Sequence, residues 1–232
     1  MSNQTFILLT LALILTSNLL GFFYSYILLY SGWFEKDKIQ NKKPKMKIFW
    51  ERLPLIAINL GLLLSFSAAG LWIAGDWFSR DMPLWYVFVA HIFLMFLIDD
   101  AYFYFYHRAL HENKFLMQYI HRIHHQATAP FPLEYLYGHP LEWLMGAVGP
   151  LLAIVLLMVF QEVSIYTFWV YSVLRTFHEI LIHSGLYTSS FMKFFPFYGT
   201  NEHHDKHHEK LKGNYASTFT YLDKLFRTEI NR

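Results

Sequence analysis

The sequence contains no cysteine. That absence excludes disulfides, thiolate-bound zinc and iron–sulfur ligation by this chain. Charge is also sparse. Charged residues make up 16% of the 232, and the net charge is only +2. No stripe of Lys and Arg with interleaved aromatics is present, so nucleic acid is not an expected partner. The chain also lacks a glycine-rich phosphate loop, a GxSxG nucleophile elbow, an internal repeat and a low-complexity tract. What it has in quantity is apolar surface: 55% hydrophobic and 20% aromatic residues. That composition belongs to a membrane protein rather than a soluble globule, and the length suits one fold.

The apolar residues fall in runs. Residues 6–30 carry no charge and exceed the ~20 residues that cross a bilayer core of ~30 Å. No basic stretch precedes them, so they read as a retained span rather than a signal peptide. The next stretch holds Lys36, Lys38, Lys42, Lys43, Lys45, Lys47 and Arg52. Such an excess marks the cytoplasmic side and puts the N-terminus outside. A second span is expected over 53–75, and a third runs inward from about Leu84. Residues 144–160 and 163–182 form a hairpin, its first arm short enough to dip into the bilayer rather than cross it. The reading is an all-α integral membrane protein with about four transmembrane or re-entrant helices. Residues 1–99 supply the first spans and the basic loop, and residues 100–232 form a single catalytic unit whose histidine-rich helical cap, on the cytoplasmic face, holds a di-metal site.

Histidine gives that unit its chemistry. All but one of the 13 histidines lie from position 107 onward; the exception, His91, reads as structural. Three clusters stand out: His107 with His111; His121 with His124 and His125; and His203, His204, His207 and His208. Residues three or four apart share a helix face, so His121, His124 and His125 are expected to point the same way. His183 ends the last apolar run at the same side of the membrane. These ten histidines, as neutral imidazoles, are candidate metal ligands. Ten exceed what one tetrahedral ion takes and suit two ions of higher coordination. Two irons with dioxygen as co-substrate would suit attack on an unactivated C–H bond of a lipid. The HEILIH stretch at 178–183 is not a zincin motif, because its histidines are five apart rather than four.

Asp100, Tyr104, His107 and His111 share one face, so Asp100 is expected to orient an imidazole, directly or through the Tyr104 hydroxyl. Glu179 lies four residues before His183 and is expected to orient it. His178 is a peripheral residue or an extra ligand, and His139 caps a helix or supports the site from behind. A histidine-rich metal transporter is the competing class, but its ligands would lie near the bilayer midplane rather than past the helix ends.

The clusters resemble the HxxxH, HxxHH and HHxxHH signature of the fatty acid hydroxylase/sterol desaturase superfamily. HRALH at 107–111, HRIHHQATAPF at 121–131, YGHPLE at 137–142, HSG at 183–185 and HHDKHHEKLKGNYASTF at 203–219 look most like the sterol C-4 methyl oxidases. The resemblance covers about 100–228. It departs at His178–Glu179, where that group tends to have Glu-Thr, and at the ending FRTE. It implies a monooxygenase acting on a sterol C-4 methyl group, with a sterol desaturase or fatty-acyl hydroxylase as the near alternative. It further implies a separate electron donor, cytochrome b5 or a ferredoxin with its reductase. The membrane would be the endoplasmic reticulum in a eukaryote or the inner membrane in a bacterium.

Overall fold

The computed structural model describes residues 1–42 and 44–230; Lys43 of the basic loop lies outside the described residues, as do the last two residues. Among the described residues every regular element is helical, with three isolated β-bridges and no strand. The long helices are α1 (Asn3–Tyr30), α2 (Met46–Ala74) and α3 (Trp85–Glu112). They are followed by α4 (Pro140–Gly146), α5 (Val148–Phe160), α6 (Ile165–Ile182) and α7 (Asn201–Lys210). Four stretches are long and apolar enough to cross a membrane: Asn3–Tyr30, Met46–Trp77, Trp85–Glu112 and Pro140–Phe160. The second begins earlier than the sequence suggests and carries Pro54 within the helix, which a membrane helix tolerates when its neighbours satisfy the freed backbone.

The hairpin differs from expectation. Its first arm continues the short α4 and reaches spanning length, whereas α6 carries Arg175, His178 and Glu179 and packs between α1 and α3. Those polar groups turn inward: Asp99 of α3 accepts from Arg175 at 2.6 Å and from the Tyr171 hydroxyl at 2.8 Å. Between apolar helices in lipid, water expulsion drives little association, so small residues and hydrogen bonds do the joining. Gly21 is one such small residue, since a Cβ there would press on Ile180. Thr10 accepts from the Trp169 indole at 2.8 Å, and Asn18 accepts from the Tyr135 hydroxyl at 2.5 Å.

The bundle has two distinct ends. At one, the α2–α3 and α5–α6 connectors meet, with Ser79 N–H donating to the Val163 carbonyl at 3.0 Å, and Arg80 donates to Asn3 at 3.2 Å. At the other, the α1–α2 loop is laced to the histidine-bearing segments. Ile39 N–H donates to Gly185 O, and the Gln40 amide donates to Asp205 at 3.0 Å. Arg52 pairs with the buried Glu134, donates to Gln126 O at 3.0 Å and stacks on Tyr137. The basic loop therefore shares one end of the molecule with the histidines.

Candidate metal centre

Depth along α3 locates the histidines. The exposed Trp85 and Tyr86 begin the helix, as interfacial aromatics do. From Trp85, a hydrocarbon core of ~30 Å is used up after ~20 residues, near Tyr104. His107 and His111 follow one and two turns later, just past the apolar layer.

There the imidazoles gather into two groups, each with ring nitrogens within 4.8 Å of one another. One holds His107, His111, His121, His125 and His207; the other holds His124, His183, His204 and His208. In the first, the Nε2 of His121 stands 2.8 Å from that of His111, 2.9 Å from that of His125 and 3.2 Å from that of His107. In the second, His204 Nε2 is 3.0 Å from His183 Nε2 and 3.1 Å from His208 Nε2.

The opposite ring nitrogens explain why these atoms face one another. Nδ1 of His107 donates to Tyr215 O at 2.8 Å, His111 to Leu211 O at 3.1 Å, and His207 to Gly213 O at 2.7 Å. His124 donates to Tyr137 O at 3.0 Å and His183 to Glu179 O at 2.8 Å. A ring that donates through Nδ1 presents a lone pair at Nε2. Lone pairs converging at ~3 Å repel unless a cation lies between them. For metal–nitrogen bonds of ~2.1 Å, adjacent ligands of an octahedral shell stand ~3.0 Å apart. The donor set thus fits two metal ions, and imidazole suits iron, zinc, copper or nickel.

Protonation agrees with ligation. Burial, then repulsion from His183, pushes His124 down to about 3. Burial takes His183 down to about 4, against the Glu179 carbonyl. Burial and neighbouring imidazoles hold His121, His204, His207 and His208 well below the ordinary histidine range. At neutral pH these rings are unprotonated, as metal binding requires.

Several expected site residues are placed differently. His203 joins neither group; its ring sits 3.2 Å from the buried Asp223 carboxylate. On α7, His204, His207 and His208 face the groups while His203 lies on another side of the helix. His121, His124 and His125 do not share a direction. A π-helical turn over Met117–His121 and a 3-10 turn over His124–Gln126 replace the regular helix. Those turns send His121 and His125 to the first group and His124 to the second.

Among the described residues, neither Asp100 nor Tyr104 hydrogen-bonds an imidazole. One carboxylate oxygen of Asp100 accepts from Thr218 N–H at 2.7 Å and Phe219 N–H at 3.2 Å. Tyr104 bonds Thr228 at 2.9 Å, and Thr228 donates to Asp223. Both thus act on the 214–228 segment, whose Tyr215 carbonyl orients His107. Glu179 orients His183 through its backbone carbonyl, while its carboxylate accepts from the Ser217 hydroxyl at 2.9 Å. His178 lies outside both groups, near the Tyr198 hydroxyl and Ser217 O. His139 caps α4 by accepting from Leu141 N–H at 3.1 Å.

Glu142 is a functional candidate that sequence pattern alone does not reveal. Its carboxylate accepts from His121 Nδ1 at 2.8 Å, where the other partnered ligand rings donate to backbone carbonyls. The available signal was a lone carboxylate at the head of an apolar run, inside the YGHPLE stretch. Arg52 is a second such residue. It holds the 126–137 loop that carries the carbonyl partner of His124.

Spanning helices that end in two converging imidazole groups define a membrane protein with a histidine-rich site suited to metal. The fatty acid hydroxylase family model matches residues 92–228, more than half of the sequence. Methylsterol monooxygenase 1 of Rattus norvegicus is 34% identical over 217 residues, covering 90% of this chain and 71% of the relative. A putative methylsterol monooxygenase of Dictyostelium discoideum is 44% identical over 134 residues, 57% of this chain and 48% of the relative. A very-long-chain aldehyde decarbonylase of Oryza sativa subsp. indica is 36% identical over 213 residues, 85% of this chain and 76% of the relative. No solved structure matches this chain. The chain belongs to the fatty acid hydroxylase family.

Proposed function

We propose that this protein is a membrane di-iron monooxygenase that oxidises an unactivated C–H bond of a lipid, the C-4 methyl group of a sterol being the preferred substrate. The observation that carries the reading is the pair of imidazole groups, five and four strong, at the end of a membrane-spanning bundle. A structural zinc would be closed by four ligands, whereas the nine here suit two ions of higher coordination. Bound iron would supply the dioxygen activation that side chains alone cannot. Overall, a C–H bond, dioxygen, two electrons and two protons become an alcohol and water.

The protein's own groups fix that chemistry in place. His107, His111, His121, His125 and His207 would hold one iron, and His124, His183, His204 and His208 the other. The carbonyls behind them and the Glu142 carboxylate hold the ring tautomers. An open apolar groove of about 610 Å³, lined by Leu97, Ala101, Tyr102, Phe105 and Tyr106 of α3 and Leu152 of α5, runs along the spanning helix α3. Tyr106 donates to the Glu142 carbonyl at 2.9 Å, so the wall of this groove adjoins the residue that orients His121. In this reading the histidine-bearing end faces the cytoplasm, as the basic loop there suggests. An electron carrier, cytochrome b5 or a ferredoxin with its reductase, docks on that face. The membrane is that of the endoplasmic reticulum in a eukaryote or the inner membrane in a bacterium.

The similarity to a rice decarbonylase over most of the chain favours one second reading, a long-chain aldehyde as substrate. The test is iron-loaded protein in nanodiscs with NADH, a reductase, cytochrome b5 and dioxygen, offered a 4-methylsterol or a long-chain aldehyde. Oxidised C-4 methyl product is expected. Untouched sterol beside conversion of the aldehyde to an alkane one carbon shorter would move the assignment to the second reading.

A further inference from the structure

We infer that the α6–α7 connection, residues 187–200, lies in the bilayer interface with its aromatic side chains in lipid, rather than in water with the rest of the histidine-bearing end. Tyr187, Phe191, Phe194, Phe195 and Phe197 are exposed within this stretch, Phe194 to 84% and Phe191 to 72%. Such a contiguous patch beside water would be costly. Its place along the bundle decides what covers it.

Two independent tethers fix its depth. The first runs through α3. Gly199 N–H donates to Thr218 O at 2.8 Å, and Thr220 N–H donates to Phe197 O at 2.7 Å. The Thr218–Phe219 turn hangs from Asp100, which stands seven residues before His107, ~10 Å toward the membrane interior. The Phe219 ring lies 6.2 Å from that of Phe93, a further seven residues deeper. The second tether is Tyr198, whose hydroxyl lies 3.3 Å from His178 Nδ1. His178 stands five residues before His183, ~7.5 Å to the same side. Both tethers draw the connection back from the level of the imidazole groups into the outer part of the apolar layer.

The backbone of the stretch suits that setting, where an unpaired N–H is expensive. Lys193, Phe194, Phe195, Tyr198 and Gly199 each donate to a carbonyl. Met192 N–H is taken by the Ser189 hydroxyl, and Pro196 has no N–H to satisfy. Lys193 does not contradict the placement. Its ammonium is paired with Glu202 at 2.5 Å, and a long cationic side chain at a membrane boundary reaches back toward water. Gly199 is the position that permits the tether: a Cβ there would collide with the Ser217 carbonyl.

The absence of cysteine makes the test clean. Phe194→Cys and, separately, Phe191→Cys carry an environment-sensitive fluorophore in the full chain, reconstituted in phosphatidylcholine–phosphatidylserine vesicles. Lys212→Cys, on the exposed turn after α7, is the aqueous reference. Expected are blue-shifted emission and quenching by nitroxide-labelled acyl chains at 194 and 191, with iodide quenching only at 212. Quenching by iodide at 194 and 191 would overturn the inference in favour of a water-exposed loop. Resistance to both quenchers would overturn it in favour of a protein partner, such as a second copy.

Discussion

Replacing Glu142 should loosen one metal and leave its neighbour in place. Among the described candidate ligand rings, only His121 has its Nδ1 within hydrogen-bond distance of a carboxylate, at 2.8 Å, and the ring itself is only 1% exposed. An anion at Nδ1 makes Nε2 a stronger donor to a cation on the far side, and removing such a partner typically weakens metal binding ~10–100-fold, or ~1.4–2.7 kcal/mol. Glu142→Gln keeps an oxygen that can accept from Nδ1–H and should fall at the lower end. Glu142→Ala leaves the N–H buried without a partner, adding ~1–3 kcal/mol. His121 belongs only to the five-histidine group. Chelator titration followed by elemental analysis should therefore turn biphasic, with one equivalent released early and the second near its wild-type position. Simultaneous loss of both metals, or an unchanged titration in Glu142→Ala, would refute the reasoning.

Other substitutions separate ligands from their supports. His203→Ala should keep two metals, at a stability cost of ~1–3 kcal/mol for the imidazole partner that the buried Asp223 loses, while His207→Ala should lose one; equal metal loss in both would put His203 back among the ligands. Asp223 is pushed upward by burial, but His203, Thr228 and the Ala216 amide outweigh this and hold it below the ordinary carboxylate range. Its contribution is therefore present above the unfolded value of ~3.9 and lost as pH falls through the folded one. The difference in thermal stability between wild type and Asp223→Asn should shrink on acidification below pH ~4, and a constant difference would count against it. At Asp100 a single oxygen takes both amides, so Asp100→Asn should retain turnover and Asp100→Ala should lose most of it. The opposite order would mean that the charge, not the turn it holds, is what matters.

The spans were legible because nothing but lipid explains 25 residues without charge, and the gathering of histidines because imidazoles at helical spacing have few other uses. What could not be read was direction. His124 and His125 go to different groups because the chain there leaves the regular helix, and a tightened turn after a widened one has no clear signature in residue type. His203 sits in the same HHDKHH stretch as three candidate ligands. Only the position of Asp223, twenty residues on, reveals that it faces away. The pairing of Glu142 with His121 spans 21 residues and depends on how α4 meets the turn after α3. Asp100 and Tyr104 lie on the same helix as His107. Their partners were misjudged because the 214–228 segment intervenes, and backbone amides and carbonyls are anonymous in a sequence.

His124 and His125 are consecutive, as are His207 and His208, and each pair sends one ring to each group. Consecutive Cα atoms across a trans peptide are ~3.8 Å apart whatever surrounds them. The separation of two ions bound here is thus gauged by two peptide units rather than by the packing of helices in a soft bilayer. Substitutions that loosen the bundle would lower the fraction of molecules carrying both ions, but the distance measured in those that do would stay constant. A one-residue insertion between either pair would change the distance itself. The bilayer can flex around such a centre without detuning it.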